Sequence, residues 1–299
     1  MTRLAATALA ALLAASPALA REITHTMGTT DVPDAPERVV VLTNEGTEAA
    51  LALGVTPIGA VQSWTGDPWY DHIADEMEDV TVVGTESGVN LELVAALEPD
   101  LILGNRMRQE EIYEQLSAIA PTVLSSELRG DWQVNFDLYA EALGKGEAGD
   151  AVMQDYDARV ASLSEALGEA TQEEVSVIRF LPGQIRIYQL DSFSGVVLDQ
   201  LGFARPENQD VNEFAMRVGK ESIPEMDGDR IFHFTYDKGD GEGEAVATEA
   251  LADPLWQSLS AVKEGKVHAV DDAVWNTAGG VIAAELMLDD IAGIYGVQE

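Results

Sequence analysis

Between Gly146 and Ala170 the chain runs without a proline and places Val152, Tyr156, Val160, Leu163 and Leu167 at helical spacing. Such a segment predicts one straight helix, about 35 Å long at 1.5 Å per residue. It divides two flanks that have the same texture: short β-branched runs alternating with helical ones. On the first side these are Arg38–Leu42, Pro57–Val61, Val80–Gly84 and Asp100–Gly104, with helical stretches from Asn44 to Gly54 and from Asn90 to Leu97. On the second they are Val175–Leu181, Ile185–Leu190, Arg230–Tyr236 and Val267–Asp271, with a closing helix over Gly279–Gly296. Continuous apolar strands of this kind belong in sheets covered on both faces. The expected class is therefore α/β: two lobes with mainly parallel sheets flanked by helices, joined by a single long interdomain helix.

The expected boundaries follow from this. Residues 1–20 read as a signal peptide, with Arg3 ahead of the apolar run Leu4–Ala15 and a small-x-small site at Ala18-Leu19-Ala20. Residues 21–143 form the first lobe, 144–170 the linking helix and 171–299 the second lobe. Cysteine is absent from all 299 residues, which removes disulfides, thiol chemistry and the acylation site of a lipoprotein. A protein released into the periplasm and not membrane-anchored fits these features, and a monomer is expected. With 53 acidic against 17 basic residues the formal charge is −36, which argues against nucleic acid or an anionic membrane surface as partner.

The flanks also echo each other. At an offset of 129, Val89 falls on Val218, Glu92 on Glu221, Val94 on Ile223, Leu97 on Met226, Asp100 on Asp229 and Ile102 on Ile231. Duplication of a lobe would account for it.

Patterns for catalysis are mostly missing: no phosphate loop, no HExxH, no GxSxG elbow and no GxGxxG after a strand. The histidines His25, His72, His233 and His268 are isolated and lack metal-ligand spacing, so core or sheet-edge roles are expected, with no metal held directly by the protein and no cofactor. In open α/β sheets ligands bind beyond the carboxyl ends of the strands. That rule collects Thr43 and Asn44, then Trp64, Trp69 and Tyr70 in "QSWTGDPWY", then Arg106 and Arg108 after "DLILG". On the second side it collects Tyr188, Phe193, Tyr236, Trp275 and Asn276; Arg217, beside Phe214 in "EFAMRVGKES", is expected to reach the same cleft from the second lobe. Cations are scarce, so guanidinium groups at strand ends suggest a bound anion, which their rigid donor fork suits. Arg106 is the foremost candidate.

The string "THTMGTTDVPDAPERVVVLTNEGTEAALALGVTPIGAV" resembles the opening of the periplasmic iron–siderophore binding proteins of ABC importers. "NLELVAALEPDLILGNR", "SFSGVVLDQLGFARPE" and "DPLWQSLSAVKEGKVHAVDDAVWNTAGG" resemble later parts of the same family, so the likeness spans nearly the whole mature chain. It implies two α/β lobes bridged by one stiff helix, and a shallow cleft that holds a ferric siderophore and closes little. It also implies one surface glutamate per lobe, here Glu92 and Glu221, docking onto an inner-membrane ABC permease. The segment before "NLE" carries Glu86-Ser87-Gly88 where ferrichrome-type members have an arginine, and Phe193 stands where catecholate-type members often have one. A carboxylate or mixed chelate is therefore as open as either of those classes. The function expected is capture of a ferric siderophore for iron uptake, without enzymatic activity. Haem or cobalamin is the alternative cargo, haem requiring an axial ligand such as Tyr70, Tyr188 or Tyr236. An exported hydrolase using carboxylates such as Glu45 and Glu86 is the alternative from a different class.

Overall fold

The computed structural model of the chain describes residues 20–298. Apart from Ala20, the segment 1–20 expected to be a signal peptide lies outside the described residues.

The chain begins with a hairpin, β1 (Ala20–His25) and β2 (Gly28–Pro33), paired antiparallel. The first sheet follows from β3 (Val39–Val41), β4 (Gly59–Ala60), β5 (Thr81–Val82), β8 (Leu101–Asn105) and β9 (Thr122–Ser125). Its order is β5-β4-β3-β8-β9 and every pairing is parallel. β8 is buried at each of its residues, as a central strand covered on both faces must be. Between these strands lie α1 (Asn44–Ala52), the small hairpin β6 (Gly84–Thr85) and β7 (Gly88–Val89), α2 (Leu91–Ala96), α3 (Arg106–Gln109) and α4 (Tyr113–Ile119). The N-cap of α1 is Thr43, whose Oγ1 accepts from Gly46 N at 3.1 Å. The leading hairpin covers the free edge of β9, where Thr26 N donates to Leu124 O and Leu124 N donates to His25 Nδ1.

Two helices then lead out of this sheet, α5 (Trp132–Ala142) and α6 (Gly146–Leu167), and α6 ends in a 3-10 turn over Gly168–Gln172. The second sheet comprises β10 (Val175–Leu181), β11 (Gln184–Tyr188), β12 (Ala215–Val218), β13 (Arg230–Thr235) and β14 (Val267–Ala269) in the order β12-β11-β10-β13-β14. Only the β10–β13–β14 half is parallel; β11 and β12 run antiparallel to their neighbours. The reason is local. Pro182-Gly183 makes a two-residue turn between the paired Leu181 and Gln184, with Gly183 at φ 71. Helices α7 (Phe193–Gln200), α8 (Glu242–Leu251), α9 (Pro254–Gln257), α10 (Ser260–Lys263) and α11 (Val281–Tyr295) complete the chain.

The repeat seen in the sequence has a structural counterpart. Asp100, just before β8, accepts from Glu37 N and Arg38 N at the head of β3, and Asp229, just before β13, accepts from Glu174 N at the head of β10. In each lobe an aspartate thus closes the start of a neighbouring parallel strand.

The long helix does not bridge the lobes alone. α5, α6 and α11 pack together, and one apolar core continues through them from the first sheet to the second. Trp132 of α5 lies 5.1 Å edge-on to Tyr156 of α6 and 6.1 Å from Phe193 of α7. Arg159 of α6 reaches Glu285 Oε2 of α11 at 2.5 Å. Glu48 of α1 accepts from Ala283 N of α11 at 3.0 Å and pairs with His72 at 2.6 Å. α5 and α6 approach closely because Gly149 faces Ala140: a Cβ at Gly149 would stand 2.6 Å from the Ala140 Cβ. Gly149→Val should therefore overpack this seam and cost about 1–3 kcal/mol of stability, read from chemical denaturation.

Candidate functional site

Where the carboxyl ends of the two sheets face each other, a cavity of ≈ 500 Å³ opens between the lobes. A second chamber of ≈ 640 Å³ adjoins it, sharing Trp64, Glu86, Tyr236 and Lys238. The first chamber is cationic in an otherwise acidic chain: Arg108, Arg129, Arg179, Arg186, Arg217 and Lys238 all line it.

Three of these arginines stand in a row. The register of β10, β11 and β12 sets Arg179 opposite Arg186, and Arg186 opposite Arg217. Side chains directly opposite across antiparallel strands have Cβ atoms roughly 4.5–5.5 Å apart, and like charges so placed repel. Among the described residues only the first of the row is neutralised by a carboxylate. Arg179 is buried and holds Asp272 in a bidentate pair, Nε to Oδ1 at 2.6 Å and Nη2 to Oδ2 at 2.9 Å. Thr277 Oγ1 donates to Asp272 Oδ2 at 3.1 Å, and Arg179 Nη1 lies 3.3 Å from the Tyr188 hydroxyl. Burial disfavours the Arg179 cation, but Tyr188 and Asp272 outweigh it and hold the guanidinium above its ordinary pKa. Arg186 and Arg217 have no carboxylate partner among the described residues, and Arg186 Nε is buried without an acceptor.

Aromatic faces back four of these cations, three of which are also paired with a carboxylate. Arg179 sits over Tyr236 at 4.9 Å, Arg129 and Arg186 over Phe214 at 5.3 and 5.9 Å, and Arg108 over Trp64 at 5.5 Å. Burial raises the Tyr236 hydroxyl pKa, against the pull of Arg179, so the ring stays neutral. Arg129 has φ 118, a conformation costly for any residue with a Cβ, and pairs with Asp191 at 3.6 Å.

The first-lobe wall is built from strand ends tied together. Asn105 caps α3 by accepting from Met107 N, and the buried Gln109 accepts from Asn105 N while donating to Glu86 O and Leu42 O. Glu86 Oε1 accepts from both Asn44 N and Asn44 Nδ2 at 2.9 Å, leaving Oε2 for Arg108 at 3.4 Å.

Of the residues singled out in sequence, Arg108, Arg217, Trp64, Phe193, Phe214, Tyr236 and Asn276 line the cavity. Arg106 does not; it points to Glu127, 3.9 Å away. The cause is helical geometry: positions two apart on a helix diverge by about 200°, so only one of the two arginines can face the cleft. Trp69 and Tyr70 are core residues. Gly66, at φ 89, folds the loop back so tightly that a Cβ would meet Trp69 O at 1.9 Å. Ser63 N donates to Pro68 O, and Tyr70 N to Ser63 Oγ, which turns Trp69 and Tyr70 inward and leaves Trp64 in the cavity. Tyr188 and Trp275 are fully buried, Trp275 against Phe232 at 4.6 Å with Nε1 donating to Asp290. Thr43 and Asn44 act behind the wall, as cap and as holder of Glu86.

Sequence reasoning missed Arg129, Arg179, Arg186 and Lys238. For two of them a signal was present: the arginines inside the apolar strands "VSVIRFL" and "IRIY" are misfits that only a buried ion pair or a ligand explains.

The paired and the unpaired parts of the arginine row should respond oppositely to mutation in the ligand-free protein. Arg186→Gln should leave stability unchanged or raise it by up to about 1 kcal/mol, because it relieves repulsion. Asp272→Asn should cost about 3–5 kcal/mol, because it strands a buried guanidinium. Chemical denaturation of both variants reads the contrast.

The family described as "Periplasmic binding protein" matches residues 39–274 of the chain. A probable siderophore-binding lipoprotein of Bacillus subtilis, YfiY, is 53% identical over 281 residues, covering 91% of this chain and 86% of the relative. The achromobactin-binding periplasmic protein of Dickeya dadantii is 32% identical over 268 residues, covering 88% of this chain and 87% of its own length. Among solved structures, Staphylococcus aureus SirA complexed with staphyloferrin B superposes with a TM-score of 0.86 at 34% identity, covering 93% of this chain and 99% of SirA. These relatives are substrate-binding proteins and not enzymes. The chain belongs to the periplasmic binding protein family, on the branch of two-lobed iron–siderophore substrate-binding proteins of ABC importers.

Proposed function

We propose that the protein captures an anionic ferric chelate, of the class whose peripheral groups are carboxylates, in the cleft between its lobes and delivers it to an ABC importer. The observation that carries this reading is the arginine row, of which two members lack a carboxylate partner among the described residues. Protein groups leave those charges unbalanced, so an anion of matching shape restores the balance on binding. Guanidinium forks suit carboxylate oxygens in particular, because two parallel N–H groups meet two oxygens. The adjoining chambers together are large enough for a drug-sized chelate, since such sites run to about 300–1,000 Å³.

Haem is a weaker reading of the same cleft. Tyr70 and Tyr188 are buried outside the cavity lining, which leaves Tyr236 of the three tyrosines considered as axial ligands.

In this reading residues 21–143 and 171–299 work as the two lobes and 144–170 as the link between them. A leader over residues 1–20 would export the chain to the periplasm, and no helix among the described residues is long and apolar enough to cross a membrane. Glu92 and Glu221 would engage the permease. Both are exposed, each in the first turn of a short helix that precedes a parallel strand of its sheet.

Two outcomes test this. Ferric citrate should quench the fluorescence of the cleft tryptophan Trp64 saturably, and Arg186→Ala combined with Arg217→Ala should weaken that binding at least about tenfold with the fold intact, as two charge-assisted contacts are lost. Glu92→Ala with Glu221→Ala should abolish iron-dependent growth on the chelate while leaving binding in solution unchanged.

A further inference from the structure

One carboxyl group in the cavity is not explained by the capture of an anion. Glu45, in the first turn of α1, lines the same chamber as Arg108, Arg186 and Arg217 and is 5% exposed. Its Oε1 is buried and has no hydrogen-bond partner among the described residues. An ionised carboxylate there would sit against the very ligand the chamber attracts.

The surroundings of Glu45 oppose its ionisation. On its own helix stands Glu48, already engaged by His72 and by Ala283 N of α11. From the loop after β6 comes Glu86, whose charge is taken up by Asn44 and Arg108. From α5 and the residue before it come Asp131, the Asn135 amide and the Tyr139 hydroxyl, the last held by Ser125 at 2.6 Å. Across the chamber stand Arg129, Arg179, Arg186, Arg217 and Lys238, with Arg129 paired to Asp191 and Arg179 to Asp272. Burial above all pushes the Glu45 carboxyl well above the usual carboxylate range; Glu86, Glu48 and Asp131 add to it, and Asn135 pulls the other way.

We propose that Glu45 meets the bound chelate as a protonated carboxyl and donates a hydrogen bond to a ligand oxygen, which makes it a specificity-determining residue of the cleft. The proposal rests on the anion-binding reading given above. A buried donor rejects a ligand that brings no acceptor to it, because the group is then left unsatisfied on both sides. The α1 end of the chamber thus selects chelates that present an unprotonated oxygen there, while the β10–β12 end selects for charge.

The linkage sets the sign of the pH dependence. A ligand oxygen beside Glu45 favours the protonated form further, so the proton is retained in the complex. Affinity is flat while Glu45 is protonated in the free protein and falls, by up to about tenfold per pH unit, once the pH is high enough to ionise it there.

The test is a titration of ferric citrate into the wild type, Glu45→Gln and Glu45→Ala over a range of pH, compared as ratios so that changes in the chelate itself cancel. Glu45→Gln keeps a neutral donor and has no proton to lose. It should bind like the wild type in acid and outbind it in alkali, whereas Glu45→Ala should bind at least about tenfold more weakly than wild type in acid. Calorimetry in buffers of different ionisation enthalpy should show proton uptake on binding by the wild type in alkali and none by Glu45→Gln. Parallel profiles for wild type and Glu45→Gln, or full affinity of Glu45→Ala in acid, would overturn the role of Glu45 while leaving anion capture standing. Absence of any ferric citrate binding by the wild type would remove the anion-binding reading itself, and this role with it.

Discussion

Three arginines brought opposite one another on neighbouring antiparallel strands are a liability that the second lobe is arranged to hold. The Pro182-Gly183 turn fixes the register of β10 against β11, and with it the meeting of Arg179 and Arg186. A slip of one residue would carry Arg186 to the other face of the sheet, among the apolar side chains packed beneath α8 and α9. Asp272 and the ring of Tyr236 restrain the innermost arginine, and Phe214 offers a ring face to Arg186. The remaining positive charge is directed into the cleft. In a chain of formal charge −36 this concentration of cations makes the cleft unlike the surface around it, and an anion is drawn to it along that gradient.

Holding such a row in place requires a scaffold that does not yield, and the seam between the lobes provides it. The apolar core that passes through α5, α6 and α11 is continuous, so hinging the lobes apart would separate Trp132 from Phe193 and expose both. The cost of that exposure opposes a change in the width of the cleft. Guanidinium groups set against ring faces lose little further freedom when a ligand arrives, which lowers the entropic cost of binding. The strain at Arg129, with its positive φ, belongs to the same arrangement: the backbone is bent so that its side chain lies over Phe214 and beside Asp191.

The alternation of strands and helices, the long helix and the echo between lobes were all legible in the sequence, because each depends on local periodicity. The antiparallel half of the second sheet was less so. Its signal lay in two residues, Pro182-Gly183, between runs that read equally well as parallel strands. The site was half legible. The rule on strand ends led to Arg108, Trp64, Phe193, Tyr236 and Asn276, but it names a neighbourhood and not a direction. Arg106 was turned away by helical rotation and Trp69 and Tyr70 by a loop closed at Gly66, and neither effect can be read from spacing alone. Arg179 and Arg186 escaped notice because they lie within strands and not at their ends, although their charge in an apolar run was the sharper clue.

Pairing within the cleft also sets what charge a ligand meets. Arg108 is held by Glu86, Arg129 by Asp191 and Arg179 by Asp272. Among the described residues Arg186, Arg217 and Lys238 line the chamber with no such partner. The paired cations act as walls: they are fixed in geometry and contribute donors, but their charge is largely cancelled at short range. The unpaired ones supply the net attraction, and they lie on the second lobe. In the proposed binding mode an anion would be oriented across the cleft, its charged oxygens toward β11 and β12 and its neutral or accepting groups toward α1. In that mode orientation would need no contact with the iron itself, since a metal enclosed by its chelator shows the protein only the chelator's outer atoms. Discrimination among chelates then depends on how each distributes charge and acceptors over its own surface.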